Sequence, residues 1–151
     1  MNRVRQPRNI KDSATACDHR YNWQHVVIKT KYRYKMFKNP KTCKIVRDAI
    51  YDSAKKYGIG IREFAIGEDY AHIHIEIDVP VSMSVARAVQ LLKGRSAHTV
   101  FKEMPRHRLR YPRGHFWAEK FSNSSVGLQD ENTVQNYIKR QDVYSSVTST
   151  T

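Results

Sequence analysis

Along residues 70–80, YAHIHIEIDVP, isoleucine returns at every second position, with His72, His74 and Glu76 between. Strand side chains point alternately to two faces, so Ile73, Ile75 and Ile77 can seal a core while both imidazoles stand on the opposite surface. The rest of the chain extends this strand into a β-α-β-β-α-β-α order. WQHVVIKTKYRY (23–34) reads as a first strand. A helix follows over NPKTCKIVRDAIYDSAKKYG, with Asn39 as cap, Pro40 in its first position and Gly58 as its stop. Its apolar stripe is Cys43, Val46, Ile50, Ala54 and Tyr57. Residues 59–67 and 71–79 form two strands joined by a short acidic turn at Glu68 and Asp69. A second helix begins near Ser82 or Ser84, turns Val85, Val89, Leu92 and Val100 to the sheet, and runs to about Met104, ended by Pro105. Residues 114–126 supply a fourth strand. The last helix, DENTVQNYIKRQDVY (130–144), has acids in its first turn and Lys139 and Arg140 later, as the helix dipole favours.

This order predicts an α+β fold of the ferredoxin-like split β-α-β kind: an antiparallel four-stranded sheet with two helices on one face, plus a C-terminal helix. The second face is expected to be open and to carry the histidines. A length of 151 residues suits one domain, here 21–144, between a polar arm over 1–20 and a tail over 145–151. No apolar run approaches the roughly 18–20 residues a membrane span needs. The N-terminal stretch lacks the apolar segment of a secretory signal, so a cytoplasmic protein without a membrane partner is expected. Cys17 and Cys43 are the only cysteines, which supports neither a disulfide framework nor a thiolate metal cage.

Charge narrows the choice of partner. Lys and Arg number 27 against 14 Asp and Glu, a net charge of +13, so the natural partner is a polyanion. The cations are interleaved with rings in KTKYRYKMFK (29–38) and RHRLRYPRGHFW (106–117). Tyr32, Tyr34, Phe37, Tyr111, Phe116 and Trp117 are the rings concerned. Cations neutralise phosphates and flat rings stack on unpaired bases, which suits single-stranded nucleic acid better than closed duplex. Lys31, Arg33, Lys35, Arg106, Arg108, Arg110 and Arg113 are the candidate contacts. GIG at 58–60 is a turn and not a phosphate-cradling loop, so no nucleotide cofactor is expected.

His72 and His74 are about 6.5–7 Å apart along the strand, close enough to converge on one cation. Glu76 lies about 13 Å from His72 by the same rise and is a flank of the site. Taken alone, such a pair is more often a surface or structural one than a metal site. Tyr137 and Gln141 in the last helix are four apart and share a face. A tyrosine can act as a nucleophile and a glutamine carbonyl as a neutral ligand, although a helical tyrosine is ordinarily a packing residue.

Taken together, H-hydrophobic-H on a strand and Y-I-x-x-Q on a helix some sixty residues later resemble the single-tyrosine HUH transposases, the TnpA proteins of single-strand, IS200-like insertion sequences. HVVIKTKYRYK (25–35), LLKGRSA (91–97) and FWAEKFSNSSVG (116–127) resemble further motifs of that family, in the same order. The resemblance spans roughly 21–142. Where the family usually has Asp before the first histidine this chain has Ala71, with Asp69 two residues earlier, and Glu76 replaces an apolar residue. The resemblance implies Tyr137 as catalytic nucleophile and His72, His74 and Gln141 as ligands of one divalent metal, Mg²⁺ or Mn²⁺. It also implies single-stranded DNA with subterminal hairpins as substrate, a nucleoid-associated location and a homodimer. Lys93 and Arg95 then join the candidate DNA contacts, with Gly94 allowing close backbone approach. A host nickase of repeated palindromes and a non-catalytic single-strand-binding module on the same fold remain as alternatives.

Overall fold

The computed structural model describes residues 21–126. The arm, the last helix with Tyr137 and Gln141, and the tail that the sequence leads one to expect lie outside them. Four strands form one sheet: β1 (Trp23–Thr30), β2 (Gly60–Ile66), β3 (His72–Asp78) and β4 (Trp117–Ser125). Their order is β2-β3-β1-β4 and every neighbouring pair is antiparallel. Helix α1 (Pro40–Tyr57) connects β1 to β2, and α2 (Val85–Glu103) connects β3 towards β4. This is the expected ferredoxin-like arrangement.

Local chemistry sets the helix ends. Asn39 accepts a hydrogen bond from the Lys41 amide, Pro40 occupies the first turn, and Gly58 closes α1 at a φ of 72°. Ser84 caps α2 by accepting from the Arg87 amide. Val26, Ile28, Ile73, Ile75 and Ile77 are wholly buried in one core with Val46 and Ile50 of α1 and Val89, Leu92 and Val100 of α2.

Several expectations need correction. The first strand ends at Thr30 rather than 34: its amide bonds Ala71, its hydroxyl bonds Tyr34, and the chain then turns through Tyr32 and Arg33 at φ 64° and 55°. The buried stripe of α1 is Thr42, Val46, Ala49, Ile50, Ser53 and Ala54. Cys43 sits at its rim and Tyr57 is exposed, because the contact with α2, where Ser53 donates to the Leu91 carbonyl, rotates that face away from them. Pro105 ends α2 but opens a further turn, α3 (Pro105–Arg108). The sheet face opposite the helices is not open at its centre: His74 and Glu76 are 4% and 0% exposed.

The rings among the cations are mostly core. Phe37, Tyr111, Phe116 and Trp117 are buried and pack edge-to-face or tilted against one another, while Tyr32 is 49% exposed. Cations surround these rings in sequence because the rings anchor the loop from within. Trp117→Ala should therefore cost about 3–5 kcal/mol of stability, and Tyr32→Ala should leave the melting temperature unchanged while weakening binding to unpaired DNA. Thermal melts beside filter binding of both variants test the division.

Candidate active site

Strand β3 carries His72, His74 and Glu76 on the face away from the helices, opposite Lys29, Val27 and His25 of β1. His72 Nε2 and His74 Nε2 are 3.0 Å apart, so the two imidazoles point at one spot. The β2–β3 turn fixes the first of them. Asp69 Oδ1 accepts from the Ala71 amide at 2.8 Å and from His72 Nδ1 at 2.7 Å, and Arg33 holds Oδ2 at 2.9 Å. Tyr70, at a φ of 61°, folds the turn so that a carboxylate three residues before His72 reaches it. The aspartate expected directly before the histidine is thus supplied from position 69. His72 Nδ1 donates its proton to Asp69, so Nε2 is the ring nitrogen turned towards His74.

Gly67 makes this placement possible. A Cβ at that position would fall on the His72 ring. Nothing in the hydrophobic pattern marked Gly67. His25 was equally unmarked: its Nε2 is 3.1 Å from His74 Nδ1. Its signal was recoverable, since antiparallel pairing of 23–30 with 72–78 brings the two histidine-bearing faces together. Glu76, expected as a flank, belongs to a separate ion pair, with Arg62 Nε 2.6 Å from its Oε1 and the Arg62 guanidinium 3.8 Å above the Trp23 ring.

Electrostatics follow the packing. Burial, assisted by the neighbouring His72 and His25, pulls His74 down from 6.5 to about 3. For Asp69 burial pushes upward, yet the Ala71 amide, Arg33 and His72 outweigh it and bring the carboxyl to about 2. The unfolded chain takes up the His74 proton near pH 6.5 and the native chain only near 3. Stability is therefore full above pH 6.5 and falls as the pH drops from there, by roughly 1.4 kcal/mol per pH unit for one proton. Asp69 adds a loss of the same sign below 3.8. Melts at neutral pH and near pH 5 should differ by several degrees; a constant melting temperature would contradict a buried neutral His74.

The basic candidates divide into three groups and one residue apart, Arg95. Arg33 and Lys35 reach Asp69 through its carboxylate and its carbonyl. Lys31, Lys93 and Arg113, joined by Arg87, His98 and His115, line an open groove of ≈ 1220 Å³ between α2 and the start of β4. Arg106, Arg108 and Arg110 lie on or just beyond α3, where Arg108 donates to the Tyr111 carbonyl and Arg110 covers the Tyr34 ring at 4.3 Å. Arg95 is exposed on α2. Lys93 also ties elements of the fold together, since its ammonium donates to the Ala118 and Glu119 carbonyls at 2.7 and 3.1 Å. Ser96 of the same K-G-x-S segment accepts from Trp117 Nε1. Two motifs far apart in sequence are therefore one brace between α2 and β4. Gly94 has no atom within 4 Å of where a Cβ would stand, so packing does not require a glycine there.

Among the described residues no group of three His, Cys, Asp or Glu side chains could hold a metal ion, and no helix is long and apolar enough to cross a membrane. The fold and the site define a ferredoxin-like domain with a convergent, carboxylate-braced histidine pair on its central strand. The family model described as Transposase IS200 like matches residues 19–141. The transposases for insertion sequence element IS200 of Salmonella typhimurium and Salmonella typhi are each 27% identical over 117 residues, 78% of this chain and 74% of theirs. Among solved structures, a "putative transposase" from Deinococcus radiodurans R1 superposes with a TM-score of 0.62 at 22% identity, over 80% of this chain and 91% of that one. The REP-associated tyrosine transposase bound to a REP hairpin gives 0.60 at 13%, over 82% and 67%. At these identities the two structures speak for the fold. The chain belongs to the IS200-like transposase family, whose members cut and transfer DNA.

Proposed function

We propose that this protein is a single-stranded DNA transposase that cleaves and rejoins the ends of an insertion sequence through a 5′-phosphotyrosine intermediate. The observation that carries the reading is the pair of Nε2 atoms 3.0 Å apart, with His72 held by Asp69. Two ring nitrogens directed at one point suit a single cation, and the carboxylate behind His72 is the usual partner of a ligating imidazole. His72, His74 and Gln141 would hold Mg²⁺ or Mn²⁺, a set of neutral donors that leaves room for phosphate and water. The bound ion supplies positive charge beside a non-bridging phosphate oxygen.

The chain's own residues account for the rest. Tyr137 attacks phosphorus in line, the P–O3′ bond breaks, and the departing oxygen takes a proton to become a free 3′-OH. The new phosphotyrosine keeps the phosphodiester energy, so the 3′-OH of another strand can reverse the step without a nucleotide triphosphate. Lys31, Arg113 and the cations of α3 offer phosphate contacts to a hairpin, a partner that the REP-associated transposase binds. A homodimer and the single domain over 21–144 belong to the same reading.

The test is direct. Single-stranded hairpin DNA from the element's own ends, incubated with the protein and Mg²⁺, should give an adduct that survives a denaturing gel. Omitting the ion should abolish it. Hairpin binding without an adduct under any divalent ion would leave only a binding module.

A further inference from the structure

We infer that His25 is a positioning residue for the metal centre: it orients His74 and takes up the tautomer that His74 must adopt when both Nε2 atoms serve as ligands. The inference rests on the histidine pair being a metal site. The His25 and His74 ring planes differ by 7° and their centroids are 5.3 Å apart. The facing nitrogens are 3.1 Å apart, so the centroid separation is close to its upper limit, two ring radii added to one hydrogen bond. The rings therefore lie end to end in nearly one plane, the geometry of an in-plane N–H···N bond and not of a face stack.

Proton positions along the row follow from its fixed end. Asp69 is an ionised acceptor, so His72 carries a proton on Nδ1, and as a neutral ring it presents a lone pair at Nε2. With the rings neutral and no cation between them, His74 Nε2 at 3.0 Å is the donor to that lone pair. His74 Nδ1 is then an acceptor, and His25 Nε2 donates to it. When both Nε2 atoms face a cation, His74 must move its proton to Nδ1 and donate it to His25. His25 accepts at Nε2 only with its own proton on Nδ1. Each of the two rings moves one proton from Nε2 to Nδ1, and none is gained or lost. A side chain that can donate to His74 in one state and accept from it in the other is what this position needs, and imidazole does both without moving.

Ligating histidines ordinarily rely on such a partner, and its loss typically weakens metal binding by about 10–100-fold. The experiment titrates Mn²⁺ into the parent, His25→Phe, His25→Gln and His72→Ala by electron paramagnetic resonance, with circular dichroism and melting as fold controls. In parallel, ¹⁵N-detected imidazole spectra are recorded with and without saturating Mg²⁺. His25→Phe should bind Mn²⁺ about 10–100-fold more weakly while folded, His25→Gln should recover part of the loss, and His72→Ala should bind least. In the parent, Mg²⁺ should convert both His25 and His74 from the Nε2–H to the Nδ1–H form. Unchanged Mn²⁺ affinity in a folded His25→Phe, or a His25 tautomer indifferent to Mg²⁺, would overturn the inference. If the parent binds neither ion, the metal-centre reading fails, and the role of His25 towards that centre falls with it. The pairing is then judged separately from the metal-free spectra, where His74 Nδ1 must show the shift of a hydrogen-bonded acceptor in the parent and lose it in His25→Phe.

Discussion

A Tyr137→Phe chain is expected to bind hairpin DNA and divalent metal as the parent does, and to form no covalent adduct. The change removes one oxygen and keeps the ring, so packing and affinity have little reason to move. In the proposed scheme the reaction loses its nucleophile, and no other group of that scheme replaces it. A loss of at least about four orders of magnitude is expected, in line with deletion of a catalytic nucleophile elsewhere. His72→Ala should also lose cleavage, but by a different route, with its divalent-ion dependence gone. If one subunit's tyrosine serves the other's histidines, mixing Tyr137→Phe with His72→Ala should restore one composite site per heterodimer. Gel-shift affinity beside adduct yield separates these outcomes. An adduct formed by Tyr137→Phe at the parental rate would remove the tyrosine from the mechanism.

Gly67→Ala is the second large effect, and it acts through the His72 ring while leaving the tyrosine in place. The added methyl falls on the His72 ring, and flexing a long side chain cannot relieve it because the obstacle is a packed imidazole on a central strand. His72 must swing away, which breaks its 2.7 Å bond to Asp69 and spoils the 3.0 Å approach to His74. Misplacement of about 1 Å is enough to cost 10²-fold in rate, so cleavage should fall by at least that factor. Overpacking should lower stability by about 1–3 kcal/mol. Mn²⁺ binding should weaken in parallel with cleavage. A variant that melts lower yet cleaves normally would show that the ring adapts, and that Gly67 serves folding alone.

The alternation of isoleucine with histidine was enough to place β3 and to choose its buried face, because a one-residue slip would have exposed every isoleucine. Caps at Asn39 and Ser84 and the stop at Gly58 are local chemistry, so α1 and α2 could be bounded from sequence. What sequence spacing did not show are contacts made across the sheet. Asp69 reaches His72 only because Tyr70 takes a left-handed conformation, which is rare for a tyrosine and carries no compositional mark. Gly67 and His25 matter through neighbours five and forty-nine residues away. The basic-aromatic segments misled for a related reason: a ring beside basic residues has the same composition whether it faces solvent, as Tyr32 does, or fills the core, as Tyr111 does.

The place of β3 in the sheet also sets the kinetics of the site. It has a paired strand on each side, whereas among the described residues β4 is paired on one side, by β1. Amide protons on an edge can exchange with solvent through local fraying, but those of a doubly flanked strand are released only when most of the structure opens. In deuterium exchange, the amides of residues 73–77 should follow the slowest, global class, and those of 122–125 a faster one. The two candidate ligands are therefore carried by the part of the molecule that deuterium reaches last.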